Sequence, residues 1–89
     1  MAVVHIPAHL RAFTDGRDRV MVSGSTLGQV LEALTADWPR LGEQLMEHGK
    51  VRPEIAVAID GVVTESLLFE AVGEDSEIHL IPAIGGGSS

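Results

Sequence analysis

The segment from Leu27 to Trp38 constrains the fold more than any other part of this chain. Its apolar residues recur at helical spacing, and the stripe they form is wide enough to need a sheet as its packing partner. Thr26 and Gln29 form a capping-box pattern at the start, and Pro39 predicts the end of the helix. The residues that share this predicted core face are Leu27, Val30, Leu31, Leu34 and Trp38.

The segments on both sides of this helix alternate as strands do. Residues 3–8 and 19–23 predict a hairpin with a long connection, and Pro7 predicts an irregular end to the first strand. Residues 54–59 alternate branched residues with alanine, and residues 77–81 are predicted to place Ile78 and Leu80 on one face and His79 and Ile81 on the other. These four segments are predicted to form one sheet, because the helix stripe must be buried against them.

Three minor segments complete the chain before its tail. Residues 40–48 predict a second short helical piece, and residues 62–64 predict a brief pairing after the Asp60-Gly61 turn. Residues 67–69, a Leu-Leu-Phe run, are predicted to lie in a loop or single helical turn and to plug one end of the core.

The order of elements is strand, strand, helix, strand and final strand, and it predicts an α+β fold. A right-handed crossover places a later strand parallel to the first. The result is a β-grasp: a mixed sheet of four to five strands with one main helix packed on one face. The domain is expected over residues 1–84, followed by a flexible glycine-rich tail over residues 85–89.

Composition excludes several classes of function. The net charge of -7 and the 3% of aromatic residues disfavour nucleic-acid binding, which needs clustered cations and stacking side chains. No cysteine is present, so disulfides and thiolate chemistry are excluded. No apolar run approaches a membrane span and no signal peptide is recognisable, so a cytoplasmic protein without a membrane partner is expected. A chain of 89 residues leaves little volume for an enclosed ligand cavity, which argues against a free-standing enzyme.

The tail suggests a different kind of activity. Gly85, Gly86 and Gly87 directly follow the apolar end of the last strand, and glycine lets a chain thread a channel too narrow for other residues. An extended stretch from Pro82 to Gly87 reaches about 20 Å. A small protein with such an arm is typical of a carrier whose carboxyl end enters another protein's active site. A flexible linker explains the same residues equally well.

Four short motifs occur together in this chain. They are Ile6-Pro7 with Leu10-Arg11, the helix opening at residues 26–31, the Val-Ala-Ile-Asp-Gly of residues 57–61, and a Pro-Ala-x-x-Gly-Gly ending that starts at Pro82. In this order the chain resembles the ubiquitin-like sulfur carriers, the MoaD/ThiS-like family. It looks most like the variant that includes the carrier of cysteine biosynthesis.

The resemblance implies a function for the tail. An adenylating, E1-like enzyme would use ATP to convert the carboxylate of Gly87 to an acyl adenylate, and Gly85 and Gly86 would thread its channel. A sulfur donor would then displace AMP and leave a C-terminal thiocarboxylate, which a sulfur-accepting synthase consumes. The carrier itself would have no catalytic residues and no bound cofactor.

The sequence departs from this family at its last two positions. Ser88 and Ser89 follow Gly87, so the carbonyl of Gly87 lies in an amide that cannot be adenylated. Three explanations stay open: trimming by a protease such as a metalloprotease, residues added for expression, or a non-functional paralogue. Trimming and added residues are favoured over loss of function.

The sheet face opposite the helix is the candidate docking surface. The pattern predicts that it is partly apolar and lies next to the exit of the tail, although a small patch without a role has the same composition. His5 and His79 are expected to be ordinary surface histidines, and no metal site is predicted. A second hypothesis is a ubiquitin-like protein modifier or binding module that acts through the tail and this face. The predicted docking residues are His5, Met21, Ala56, Ala58, His79 and Ile81.

Overall fold

The computed structural model of this chain describes residues 1–64 and 68–82. In these two ranges a main sheet and a small hairpin contain seven strands, and two α-helices follow each other between the second and the third strand. The strands are β1 (Ala2–His5), β2 (Arg19–Val22), β3 (Met46–Glu47), β4 (Lys50–Val51), β5 (Ile55–Ile59), β6 (Val62–Thr64) and β7 (Glu77–Pro82), and the helices are α1 (Leu27–Asp37) and α2 (Pro39–Leu45). In these residues no helix has the length and apolar character that a membrane crossing requires.

The main sheet is mixed, with the strand order β2-β1-β7-β5-β6. β1 pairs with β2 in antiparallel fashion and with β7 in parallel fashion, so the first and last strands are central neighbours. β5 is antiparallel to both β7 and β6. This topology confirms the predicted α+β architecture, a five-stranded β-grasp sheet with one main helix on one face.

The main helix begins as its sequence pattern predicts. Thr26 Oγ1 accepts a hydrogen bond from the backbone N–H of Gln29 at 3.2 Å. The side-chain oxygen of Gln29 reaches back and accepts from the backbone N–H of Ser25 at 2.8 Å. Two backbone N–H groups at the start of the helix therefore have hydrogen-bond acceptors, which stabilises the N-terminus of α1.

The core lies between α1 and one face of the main sheet. Four of the five predicted helix residues are buried to 1% exposure or less, and Trp38 is half-buried at the end of α1, with the guanidinium of Arg17 5.8 Å from its ring. The sheet contributes the alternate residues of β1, β5 and β7, as strand pleating requires. The buried residues at the centre of this core include Val4, Val30, Leu31, Leu34, Val57, Ile78 and Leu80.

Several minor elements differ from the predictions. The β1–β2 connection contains a 3₁₀ helix, Ala8–Thr14, which was not expected. α2 ends at Leu45, and the residues predicted to continue it form the β3–β4 hairpin instead. His48 and Gly49 both have positive φ in the turn of that hairpin, a conformation that a helix cannot contain.

The prediction for residues 67–69 was wrong in part. Leu68 packs against the core, but Phe69 is 76% exposed and plugs nothing. Residue 67 lies outside the described residues, as do the tail residues Gly85, Gly86 and Gly87. The boundary predicted between domain and tail at residues 84 and 85 lies outside them as well and stays a prediction.

The contact between α1 and α2 gives a first prediction. A Cβ atom at Gly42 of α2 would lie against the side chain of Thr35 of α1, whose Oγ1 is held by a 2.8 Å hydrogen bond to the carbonyl of Leu31. We expect Gly42→Ala to lower the free energy of unfolding by about 1–3 kcal/mol, the usual effect of overpacking. This loss occurs although alanine is about 1 kcal/mol more favourable than glycine inside a helix.

Urea unfolding of the Gly42→Ala variant measures this effect, and Thr35→Ala supplies the control background. Removing Oγ1 and Cγ2 of Thr35 takes away two of the three atoms that the new methyl group meets. The cost of Gly42→Ala is therefore expected to be smaller in the Thr35→Ala background. An equal cost in both backgrounds would mean that the two helices do not approach each other as described.

Candidate functional site

All six predicted docking residues lie on the sheet face opposite α1, called here the open face. The register of β1, β7 and β5 places His5 beside His79 and His79 beside Ala58 in one cross-strand row. Ala56 and Ile81 are partners in the next row. Pleating directs all of these side chains away from the helix, since the alternate residues of the same strands form the core. Their placement confirms the predicted face, and their role in docking stays a prediction.

The exposed apolar side chains of the open face lie toward its margins. Met21 on β2 is 57% exposed and Ile81 on β7 is 38% exposed. Ala58 is buried, because its methyl group lies lower than the larger side chains of His79 and Val63 on the adjacent strands. The open face is therefore partly apolar with polar groups along its centre, as docking surfaces often are.

Sequence reasoning missed four residues of this face. Val3, Arg19, Glu77 and Val63 occupy the same rows as the predicted residues, through the pairs of β1 with β2 and β7 and of β5 with β6. The alternation of each strand contains part of this signal, because Val3 and Glu77 lie two positions from His5 and His79. The complete set depends on strand order and register, which are not visible in the sequence.

The centre of the open face holds two stacked histidines. The ring centroids of His5 and His79 are 4.2 Å apart and the rings are parallel to within 2°. Glu77, two residues before His79 on β7, places Oε1 3.0 Å from Nε2 of His5. The side chain of His5 is 29% exposed and that of Glu77 is 59% exposed. The group is open to solvent on one side and held by the sheet on the other.

The start of β7 is fixed by Asp60 in the β5–β6 turn. Asp60 Oδ1 accepts from the backbone N–H of Glu77 and Oδ2 accepts from the hydroxyl of Ser76, each at 2.9 Å. These two hydrogen bonds lower the pKa of Asp60 from its ordinary value of 3.8. The carboxylate therefore contributes to stability above about pH 3.8, and the contribution is lost as pH falls through the lowered pKa. Asp60 positions the strand that carries Glu77 and His79.

The carboxyl end of β7 lies at the margin of the open face. Pro82, the last described residue, pairs with Ile55 at the start of β5, and Ile81 lies on the open face directly before it. The last described residues therefore lie at the end of a central strand, beside the apolar part of the face. The predicted working residues of the tail, Gly85, Gly86 and Gly87, lie outside the described residues.

A family model described as the ThiS family matches residues 4–87 of this chain. The sulfur carrier protein CysO of Mycobacterium tuberculosis is 32% identical in a match that covers 94% of this chain and 96% of that protein. The crystal structure of CysO from the same organism superposes with a TM-score of 0.85 at 28% identity, covering 94% of this chain and 100% of that chain.

Two further solved structures share the architecture. The solution structure of small archaeal modifier protein 1 from Methanosarcina acetivorans has a TM-score of 0.82 at 26% identity, and the match covers 97% of this chain and 95% of that one. A chain in the BexX/CysO complex of Amycolatopsis orientalis has a TM-score of 0.87 at 22% identity, with 98% and 100% covered. At 22% identity the likeness to the chain from the BexX/CysO complex concerns the fold alone. Both structures confirm the prediction of a β-grasp fold.

Proposed function

This chain belongs to the ThiS family and is a sulfur carrier of that type, and we propose that it carries the sulfur as a C-terminal thiocarboxylate on Gly87. The observation that carries this proposal is the extent of the family match, which runs from residue 4 through Gly87 and so includes the Gly86-Gly87 pair. The match ends at the residue whose carboxylate the chemistry requires. The two serines that follow it lie beyond the family pattern.

Two steps would convert the carboxylate to the thiocarboxylate. A carboxylate oxygen of Gly87 attacks the α-phosphorus of ATP, and pyrophosphate leaves. A sulfur nucleophile then attacks the acyl carbon, and AMP leaves with the electron pair of the broken C–O bond. Activation is needed because a free carboxylate is a poor electrophile. Glycine suits both steps because it has no side chain beside the acyl carbon.

The protein body would present the tail without catalysing either step. Its partners would be an adenylating enzyme that binds the ATP and a synthase that accepts the sulfur. Before activation a protease, a metalloprotease in this proposal, would remove Ser88 and Ser89 to free the carboxylate of Gly87. All of these events would take place in the cytoplasm. The open face includes Ile81, next to the last described residue of β7, which suits a surface that orients the segment after β7 toward a partner's active site.

A second candidate function is covalent protein modification. The likeness to small archaeal modifier protein 1 favours it, because that protein is named as a modifier and shares the fold at 26% identity. The tail would be activated in the same way, but the acceptor would be the amine of a lysine on another protein, and an isopeptide bond would replace the thiocarboxylate. The two functions therefore differ in the final acceptor and not in the first step.

The open face can be tested with paired substitutions in a chain that ends at Gly87. We expect Met21→Glu and Ile81→Glu each to lower the rate of pyrophosphate release by the cognate adenylating enzyme about tenfold at subsaturating carrier, because truncating or charging an interface anchor typically costs 1–2 kcal/mol or more. Val62→Glu is the matched control, since Val62 is 68% exposed on β6 but points away from the open face. An equal loss of pyrophosphate release in all three variants would mean that the open face does not dock on the adenylating enzyme.

A further inference from the structure

We propose that His5, Glu77 and His79 form a binding site for a divalent transition-metal ion such as Zn²⁺ on the open face. One nitrogen of each imidazole and one oxygen of the carboxylate all lie within 4.8 Å of one another. This set of donors differs from the prediction of ordinary surface histidines, which rested on the two rings alone. Glu77 supplies the carboxylate that the sequence interpretation did not include.

The backbone holds the three side chains in position. His5 and His79 are direct partners in the parallel pairing of β1 and β7, and Glu77 precedes His79 by two residues, so both project from the same face of one strand. β7 lies in the middle of the sheet between β1 and β5, and Asp60 fixes its first residue. Ligands on a rigid sheet lose little conformational freedom when an ion binds, which favours binding.

The contacts of the free protein leave donor atoms available. Nε2 of His5 forms a hydrogen bond with Oε1 of Glu77. Among residues 1–64 and 68–82, the ring nitrogens of His79 have no hydrogen-bond partner, and its ring stacks on that of His5. Two imidazole nitrogens bound to one tetrahedral Zn²⁺ lie about 3.3 Å apart, given Zn–N bonds of about 2.0–2.1 Å. The two ring planes are parallel in the free protein, so at least one imidazole must rotate out of the stack before both nitrogens can point at one ion.

The donor types select the class of ion. Two imidazoles and one carboxylate suit Zn²⁺, Cu²⁺ or Ni²⁺, whereas Mg²⁺ and Ca²⁺ prefer sites made of oxygen alone. Three protein ligands leave one position of a tetrahedral Zn²⁺ for water or for a group from another molecule. The formal net charge of -7 also favours the approach of a cation.

The test uses the untagged 89-residue chain and Zn²⁺ as the probe. We expect saturable binding of one ion per chain in a competition titration against a chromophoric chelator. His5→Ala and His79→Ala are each expected to weaken binding at least tenfold, since even the residues that only support metal ligands change affinity by about 10–100-fold. Glu77→Gln keeps the size of the side chain and is expected to weaken binding severalfold.

The second histidine–glutamate pair of the chain is the matched control. His48 Nε2 lies 3.8 Å from Glu47 Oε2, but no second imidazole lies beside this pair among the described residues. His48→Ala is therefore expected to leave Zn²⁺ affinity unchanged. A loss in His48→Ala equal to that in His79→Ala would overturn the proposed site.

Imidazole ¹⁵N chemical shifts of the wild-type chain show which histidines bind Zn²⁺. This measurement needs no substitution, so it does not depend on whether each variant folds. On Zn²⁺ addition the ring nitrogens of His5 and His79 are expected to shift together, while those of His9 and His48 stay in place. Absence of saturable binding, or shifts confined to His9 and His48, would contradict the proposal. The outcome is independent of sulfur transfer, because no partner enzyme takes part.

Discussion

A chain that ends at Gly87 is expected to be adenylated by its cognate activating enzyme, whereas a chain that ends at Gly85 is not. The reacting carboxylate must reach the α-phosphate of ATP inside the partner, and removing two residues shortens the extended tail by about 7 Å. A displacement of even 1 Å can cost about a hundredfold in a reaction that depends on positioning. Pyrophosphate release is therefore expected to fall to background.

Two further chains complete this experiment. The 89-residue chain presents the carboxylate on Ser89, two residues beyond the glycine pair, and it is expected to be activated only after trimming. A Gly87→Ala variant that ends at residue 87 places a methyl group beside the acyl carbon and is expected to react more slowly than the glycine chain. Circular dichroism should be the same for all four chains. Undiminished activation of the chain ending at Gly85 would contradict the assignment of the reactive residue.

The second large effect is expected at Ile78, in the centre of the core. Its side chain is fully buried under α1, and Ile→Ala at such a position usually lowers the free energy of unfolding by about 2–5 kcal/mol. A domain of this size has little stability to lose, since even typical domains have about 5–15 kcal/mol. Ile78→Ala is therefore expected to leave a substantial unfolded population at 37 °C, measured by urea unfolding.

Ile81 supplies a matched control on the same strand. It lies three residues after Ile78 on the opposite face, and it is 38% exposed. Ile81→Ala removes the same atoms from β7 but leaves a smaller cavity, so a loss below about 1 kcal/mol is expected. Similar losses in the two variants would mean that β7 does not separate a core face from an open face.

The parts of the fold that the sequence predicted correctly are those with long, regular patterns. The apolar residues from Leu27 to Leu34 recur at a spacing that places them on one face of a helix. The alternation in β5 and β7 separates the residues of the core face from those of the open face. The β3–β4 hairpin was missed because strands of two residues have no measurable alternation. Phe69 was misplaced because hydrophobicity predicts burial on average, while a single exposed aromatic residue is common.

The site was predictable at the level of a face but not at the level of a side-chain cluster. His5 and His79 lie 74 positions apart, and only the parallel register of β1 and β7 brings their rings together. Glu77 carried a usable signal, since it precedes His79 by two positions in a predicted strand. The role of Asp60 had no such signal, because its contacts with Ser76 and Glu77 connect two separate turns.

The intact mass of the protein purified from its native host tests directly whether Gly87 carries a thiocarboxylate. We expect a chain that ends at Gly87 and carries one sulfur atom in place of one carboxylate oxygen, at least in part of the population. A form of this chain joined through an isopeptide bond to a lysine of another protein would instead support the modifier function. A population that always ends at Ser89, with neither a thiocarboxylate nor a conjugate under sulfur demand, would contradict the proposed role of Gly87 as the reactive terminus.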